Sequence, residues 1–250
     1  MAEVTDPEAG FRTFYERPVL DRPLGRYTLE WNDAGGTHRL RVPNRLVDLQ
    51  GHRPSLASTL RLPRTLWTWW SARGGRLLRR PVPFLTWDAV HRLEQCVRPG
   101  STVLEVAGGN STLWLLERGA RVFTLEPDAA WAERLRMAIE TRLGPEALAR
   151  WQVRVTTGER ALQPIREGWG APWDVAIIDP SGWQIPRLPA LYAARAHMAP
   201  GGTLVLDNSD HPLQWPASEV LGPPNQVFTG YGAMCLVVTQ TSFWQVPSAG

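Results

Sequence analysis

Lysine is absent from this chain, and all 27 of its basic residues are arginine. Cysteine is scarce as well: Cys96 and Cys235 are the only two among 250 residues, one in a helix-like segment and one in a strand-like segment. Two distant thiols favour buried free cysteines over a disulfide or a metal site. No apolar run approaches the roughly eighteen residues that a membrane-spanning helix needs, and the N-terminus has no apolar core of the secretory-signal kind. The expectation is a cytoplasmic protein. The length suits one α/β domain with an N-terminal extension better than two complete domains.

Charge divides the chain. Residues 1–80 hold 14 Arg and 8 acidic residues, a net of +6, whereas residues 81–250 hold 13 Arg and 16 acidic residues, a net of −3. The positive charge belongs to the extension, which is also rich in proline and tryptophan. Within it, Tyr27 to Trp31 and Thr37 to Val42 flank Asn32-Asp33-Ala34-Gly35-Gly36 as the arms of a hairpin would. From Leu66 the sequence runs Leu-Trp-Thr-Trp-Trp and then Arg73, Arg76, Arg79 and Arg80, with Gly74-Gly75 interrupting any helix. Pro81 and Pro83 mark a boundary, which places an extension at 1–80 and the main domain at 81–250.

After that boundary the pattern becomes regular. Thr86 can cap a helix reaching Val97, and Thr102 to Val106 reads as a strand. A helix from Thr112 to Arg118, a strand from Val122 to Leu125 and an amphipathic helix from Asp128 to Leu143 follow. Strands at Gln152 to Thr156, Val175 to Ile178 and Thr203 to Leu206 come next, with a helix from Leu188 to Met198 before the last. Two closing strands, Gln226 to Thr229 and Met234 to Thr239, are joined by Gly230-Tyr231-Gly232. Such alternation implies a mainly parallel sheet with helices on both faces.

The most informative stretch is Val103-Leu104-Glu105-Val106-Ala107-Gly108-Gly109-Asn110-Ser111-Thr112. An apolar strand ends in a carboxylate and breaks into small residues that let backbone approach a ligand; Ser111 or Thr112 can cap the helix behind them. The spacing does not fit the G-x-G-x-x-G of a dinucleotide site, and Glu105 would oppose a pyrophosphate while suiting an ammonium or sulfonium. The stretch resembles motif I of the class I S-adenosylmethionine-dependent methyltransferases, with Ala107 where that family more often has glycine. The resemblance implies a Rossmann-like, seven-stranded, mainly parallel sheet and S-adenosylmethionine as cofactor. The implied cofactor residues are Glu105, Ala107, Gly108, Gly109, Asn110, Ser111, Glu126, Pro127, Gly158, Glu159 and Asp179.

Ligands of such sheets lie beyond the carboxyl ends of the strands, and four expected strands end in a carboxylate: Glu105, Glu126, Asp179 and Asp207. A carboxylate there is costly unless paired or liganded. Glu126, 21 residues after Glu105, can accept hydrogen bonds from both hydroxyls of a ribose, the role its position has in that family. The alternative is a helix cap. Gly158-Glu159 stands where the family contacts adenine, with a solvated Glu159 as the other reading.

Ile177-Ile178-Asp179 and Leu206-Asp207-Asn208 place two carboxylates and an amide on adjacent strands, an oxygen set that suits Mg²⁺. This resembles the metal triad of the catechol-type O-methyltransferases, but Pro180-Ser181-Gly182-Trp183 lacks the lysine that follows there. A resemblance covering residues 83–244 is to a poorly characterised bacterial family of class I methyltransferases. It rests on Pro83-Phe84-Leu85-Thr86-Trp87, Gly108 to Trp114, Asp207-Asn208-Ser209-Asp210 and Thr239 to Trp244.

His211 is a general-base candidate beside Asp179 and Asp207, with a surface histidine as the alternative, and His197 reads as a helix-end residue. Trp87 and Trp183 flank loops where they could stack on a ligand ring or simply pack. The basic tryptophan segment is a lid, a packing arm, or a contact with an anionic membrane or nucleic acid. Eight arginines between Arg45 and Arg80 against Asp48 make too short a stripe for nucleic acid, and lid or packing arm is preferred. The expected function is methyl transfer to an oxygen or nitrogen of a small molecule. The alternatives are a nicotinamide-dependent oxidoreductase and a degenerate fold kept for binding.

Overall fold

The computed structural model describes residue 24 and residues 27–33, 36–72, 77–180 and 184–248. In the extension, β1 (Tyr27–Asp33) and β2 (Gly36–Val42) pair antiparallel with Asp33 opposite Gly36, so the expected hairpin is present. Two helices follow, α1 (Leu56–Leu60) and α2 (Leu62–Ala72). The expected Gly74-Gly75 break lies outside the described residues.

Beyond Pro83 the order is α3 (Trp87–Cys96), β3 (Thr102–Val106), α4 (Asn110–Glu117), β4 (Arg121–Glu126), α5 (Ala129–Leu143), α6 (Pro145–Ala149) and β5 (Trp151–Val155). It continues with α7 (Leu162–Arg166), β6 (Trp173–Ile178), α8 (Arg187–Arg195), β7 (Met198–Asp207), α9 (Pro216–Leu221), β8 (Gln226–Gly232) and β9 (Cys235–Gln245). The sheet order is β5-β4-β3-β6-β7-β9-β8. Neighbours from β5 to β7 are parallel, and β9 is antiparallel to both β7 and β8.

Side-chain alternation builds two cores. Val103, Val122, Val175, Ile177 and Val205 meet Leu93, Leu113 and Leu135 on one face. Leu104, Leu125, Ala176, Ile178, Leu204 and Leu206 meet Leu162, Ile165 and Leu191 on the other. Slipping one central strand by a residue would send each of these sets to the wrong core, which fixes the register and hence the height of the strand ends.

Several local expectations are corrected. The Thr86 hydroxyl does not cap α3; it lies 3.4 Å from Thr241 Oγ1 and 3.5 Å from the Phe228 carbonyl, because Thr86 bridges to Gly232 at the sheet. Neither Ser111 nor Thr112 is the N-cap residue, since α4 begins at Asn110, but Thr112 caps from within the first turn by accepting the Gly109 amide. Gly230-Tyr231-Gly232 ends β8, and the turn passes through Ala233 and Met234. Cys96 and Cys235 are free but only half-buried.

The extension is anchored by polar groups. Arg45 donates to Asp210 (3.3 Å) and to the Val238 carbonyl (2.6 Å), and the Leu49 amide donates to Asp210 (3.0 Å). The Gln240 amide donates to buried Asp48 at 2.8 Å. Farther along, the Tyr231 and Met234 amides donate to the hydroxyls of Ser58 (2.8 Å) and Thr68 (3.0 Å), and the Thr65 hydroxyl donates to the Gly232 carbonyl (3.1 Å). A side chain at Gly230 would start 2.0 Å from Ser58 Oγ, so the close docking of α1 on β8 requires glycine there.

Candidate functional site

The chain runs outward through β3 and β4 in one direction and returns through β6 and β7 in the other, so strand order reverses between β3 and β6. The usual ligand position in such sheets lies beyond the carboxyl ends of the strands at this reversal. Glu105, Ala107, Gly108, Glu126 and Asp179 all lie at or just beyond these ends.

Glu105 is 1% exposed. Its Oε2 accepts from Thr112 (2.5 Å) on α4 and from Thr124 (3.0 Å) on β4, while its buried Oε1 has no hydrogen-bond partner among the described residues. Burial pushes its pKa up to about 7 against the pull of the Ser111, Thr112 and Thr124 hydroxyls, and Asp179 raises it further. A buried acceptor without a donor is a strong cost that a cationic or donating ligand would remove.

Beyond β3 the chain turns at Ala107, whose φ of 73° lies in the left-handed region. Gly108 has no space for a side chain: a Cβ would lie 2.8 Å from Thr124 Cγ2 and 3.0 Å from Leu135 Cδ2. Its carbonyl accepts from the Trp131 indole (2.9 Å), and the Gly109 amide donates to Thr112 Oγ1 (2.9 Å). Asn110 and Ser111 open α4 directly behind this turn.

Glu126 closes the other side. Its two oxygens accept the amides of Gly108 (2.9 Å) and Asp128 (3.0 Å), so one carboxylate ties the β3 turn to the β4 turn. Burial pushes its pKa up to about 7; the Asp128 and Gly108 amides pull it down and the charge of Glu105 pushes it up. Each oxygen retains a lone pair for a further donor. The helix cap beyond it is Asp128, not Glu126, since Asp128 accepts from the amides of Ala130 and Trp131. Pro127 lies half-buried between them. Gly158 begins a 3₁₀ turn after β5, whereas the Glu159 side chain is exposed and faces Arg166 at 3.8 Å.

The second cluster departs from expectation. Asp179 pairs with Arg187 (3.3 Å), and the same guanidinium donates to the carbonyls of Pro180 (2.8 Å) and Asp207 (2.5 Å). Asp207 turns its carboxylate to the Thr241 hydroxyl (2.6 Å) on β9, and Asn208 adopts a φ of 51°. These donors do not fit a divalent cation: Arg187 already holds a positive charge between the two strand ends, and the Asp207 carboxylate is engaged by β9. Among the described residues no group of three or more His, Cys, Asp or Glu side chains is gathered for a metal. Where Asp179, Asp207 and Asn208 suggested an Mg²⁺ set, the strand ends are bridged by Arg187.

Burial pushes Asp179 up to about 6 while Arg187 pulls it down. Asp207 is pushed well above the usual carboxylate range, first by burial and then by the charge of Asp179. His211 accepts from the Leu213 amide (3.3 Å) through Nδ1, and burial with Arg187 and Arg45 nearby lowers its pKa to about 4. A weakly basic imidazole used as a helix cap is a poor proton acceptor. Asp210 anchors the extension and does not reach the cluster. Trp87 is 2% exposed and donates to Thr65 (2.8 Å), so it packs. His197 packs edge-on against Trp173, and Trp183 lies outside the described residues. Thr112 was legible as a capping residue and part of the turn motif, but Arg187, Thr124 and Thr241 went unread, because single polar residues at helix starts and on buried strand faces have no signature of their own.

Two cavities flank the sheet. One of about 590 Å³ lies at the amino ends of the strands, around Ser101, Asp174 and Gly202, away from the carboxylates. Another of about 740 Å³ adjoins the exit of β7 and is lined by polar and apolar groups that include Gln50, His52, Ser209, Gln214, Trp215 and Ser242.

No protein-family model matches the chain. It is 34% identical over 114 residues to the protein-L-isoaspartate O-methyltransferase of Methylorubrum populi, covering 44% of this chain and 46% of that protein. It is 31% identical over 157 residues to the ribosomal RNA small subunit methyltransferase A of Leifsonia xyli, covering 61% of this chain and 54% of that one. The chain thus spans about half the length of these curated relatives. The O-methyltransferase TomG from Streptomyces achromogenes, solved in complex with SAM, is 15% identical and superposes with a TM-score of 0.54 over 78% of this chain and all of its own, a likeness of fold.

Proposed function

We propose that this chain, which has the class I methyltransferase fold, binds S-adenosylmethionine at the β3, β4 and β6 ends and methylates an oxygen or nitrogen of a small molecule. The observation that carries the reading is a pair of buried glutamates, Glu105 and Glu126, flanking a turn that has no space for a side chain at Gly108. Glu105 Oε1 provides an unpaired acceptor for the positively charged part of the cofactor, and the spare lone pairs of Glu126 suit ribose hydroxyls.

Bound there, the cofactor supplies an electrophilic methyl group on a sulfonium. The chain's part is to orient the acceptor in line and to take its proton. Asp179 suits that role: its side chain is 27% exposed and its pKa of about 6 lies near neutrality. Arg187 holds its Oδ1, leaving Oδ2 for an acceptor proton, and also provides the positive charge that a metal would otherwise bring. The size of the 740 Å³ cavity beside β7, within the range of small-molecule sites, supports a small-molecule acceptor.

Calorimetric titration with S-adenosylmethionine tests the reading. Binding in the micromolar to low-millimolar range is expected, with loss of detectable binding in Glu126→Ala. Transfer of labelled methyl from the cofactor to metabolite pools is expected to survive exhaustive chelation and to fall by about 10²–10⁴-fold in kcat in Asp179→Asn. Absence of wild-type binding would overturn the cofactor assignment. Binding without transfer would favour a protein kept for recognition alone.

A further inference from the structure

α2 is turned inside out. At helical spacing Pro63, Leu66, Trp67 and Trp70 share one side of it, and Thr65, Thr68 and Ala72 the other. The hydroxyl side is the buried one, bonded to the β8–β9 turn. Leu66 and Trp67 are each 47% exposed and Trp70 is 69% exposed. α1 repeats the arrangement, with Ser58 buried against β8 and Leu56 and Leu60 exposed to 77% and 73%. A surface helix of a protein that meets only water has the opposite polarity. Five large apolar side chains are thus exposed on two consecutive helices within residues 56–70, more than single scattered exposure accounts for.

The sequence that carries these helices is basic, with Asp88 the carboxylate that meets it, at Ser55 and Arg61. Residues 49–87 contain no Asp or Glu and seven arginines, at positions 53, 61, 64, 73, 76, 79 and 80. Arg61 is paired with Asp88. Arg53, Arg64, Arg79 and Arg80 are exposed, and the Arg80 guanidinium stacks over the Trp67 ring at 3.2 Å, at the edge of the stripe.

We propose that the α1–α2 face is a docking surface for an anionic phospholipid bilayer, with Leu56, Leu60, Leu66, Trp67 and Trp70 entering the headgroup–acyl boundary and the arginines meeting lipid phosphates. Indoles favour that boundary, and basic side chains beside an apolar helical face add electrostatic attraction to anionic lipid. A nucleic acid would engage the arginines and leave the apolar stripe in water. A second copy of the same face would cover the stripe and bring like charges together. Lipid satisfies both features. The α1–α2 segment packs through its hydroxyls together with Leu62 and Ala72, and its larger apolar side chains face outward.

Co-sedimentation of the full chain with vesicles tests this. Wild type is expected to partition onto phosphatidylglycerol–phosphatidylcholine vesicles, to release at high salt, and to ignore pure phosphatidylcholine. The double variant Leu66→Glu/Trp70→Glu is expected to lose at least about tenfold in partitioning while keeping its melting temperature, because both side chains are exposed. Should that variant misfold, Leu56→Glu/Leu60→Glu on α1 makes the same measurement. Failure of wild type to bind anionic vesicles, or unchanged binding by a folded variant, would overturn the proposal. So would dimerisation or RNA retention without vesicle binding, which would place a second copy or a nucleic acid on the face.

Discussion

Ala107 and Gly108 stand side by side under opposite constraints. Ala107 has a left-handed φ of 73° that glycine would adopt without strain, whereas Gly108 has Thr124 Cγ2 and Leu135 Cδ2 at 2.8 and 3.0 Å from any added Cβ. Gly108→Ala is therefore expected to cost about 1–3 kcal/mol of stability in urea unfolding and to displace the amide that Glu126 accepts. Ala107→Gly is expected to stay within about 1 kcal/mol, since relief of strain offsets the greater freedom of glycine in the unfolded chain. A neutral Gly108→Ala with a damaging Ala107→Gly would contradict this account. The small residues were visible in the sequence as a turn, but the contrast between them was not. It depends on a threonine from β4 and a leucine from α5, which only tertiary packing brings to the same place.

β3, β4 and the strands beside them were legible because two-sided burial leaves continuous apolar runs, and Glu105, Glu126, Asp179 and Asp207 interrupt those runs at their ends. The arm was legible only in part. Its hairpin follows from turn residues, but the way α1 and α2 dock does not follow from amphipathicity alone, because the hydroxyls of Ser58, Thr65 and Thr68 meet the domain alongside Leu62 and Ala72 while the larger apolar side chains stay outside. Arg45 and Asp210 join arm to sheet across 165 residues at 6% and 1% exposure. Asp210→Asn would leave that guanidinium buried without its counter-charge, at an expected cost of about 3–5 kcal/mol. Trypsin would then cleave the arginine-rich arm faster than in wild type, with the main domain cut more slowly. Uniform cleavage of both would mean that the pair supports the whole fold and not the arm's attachment.

Protonation unites these elements across the molecule. Glu105, Glu126, Asp179, Asp207 and Asp210 all have raised pKa values with burial as the largest cause. A carboxylate whose folded pKa exceeds its unfolded one contributes stability that is full below the unfolded value and lost as pH rises through the folded value. His211, lowered to about 4, acts in the other direction: its contribution is present above its unfolded pKa and lost as pH falls toward 4. The opposing effects overlap below about pH 6.5, but from about pH 6.5 to 8 the glutamates near 7 dominate. The melting temperature of the cofactor-free protein is therefore expected to fall across that interval. A sulfonium-bearing ligand favours the ionised glutamates, so S-adenosylmethionine should release protons on binding and raise the melting temperature more at about pH 8 than at about pH 6.5. Differential scanning fluorimetry at both pH values, with S-adenosylhomocysteine as the ligand lacking the sulfonium charge, measures this. An S-adenosylmethionine shift no more pH-dependent than that of S-adenosylhomocysteine would mean that the buried glutamates do not answer the cofactor's positive charge.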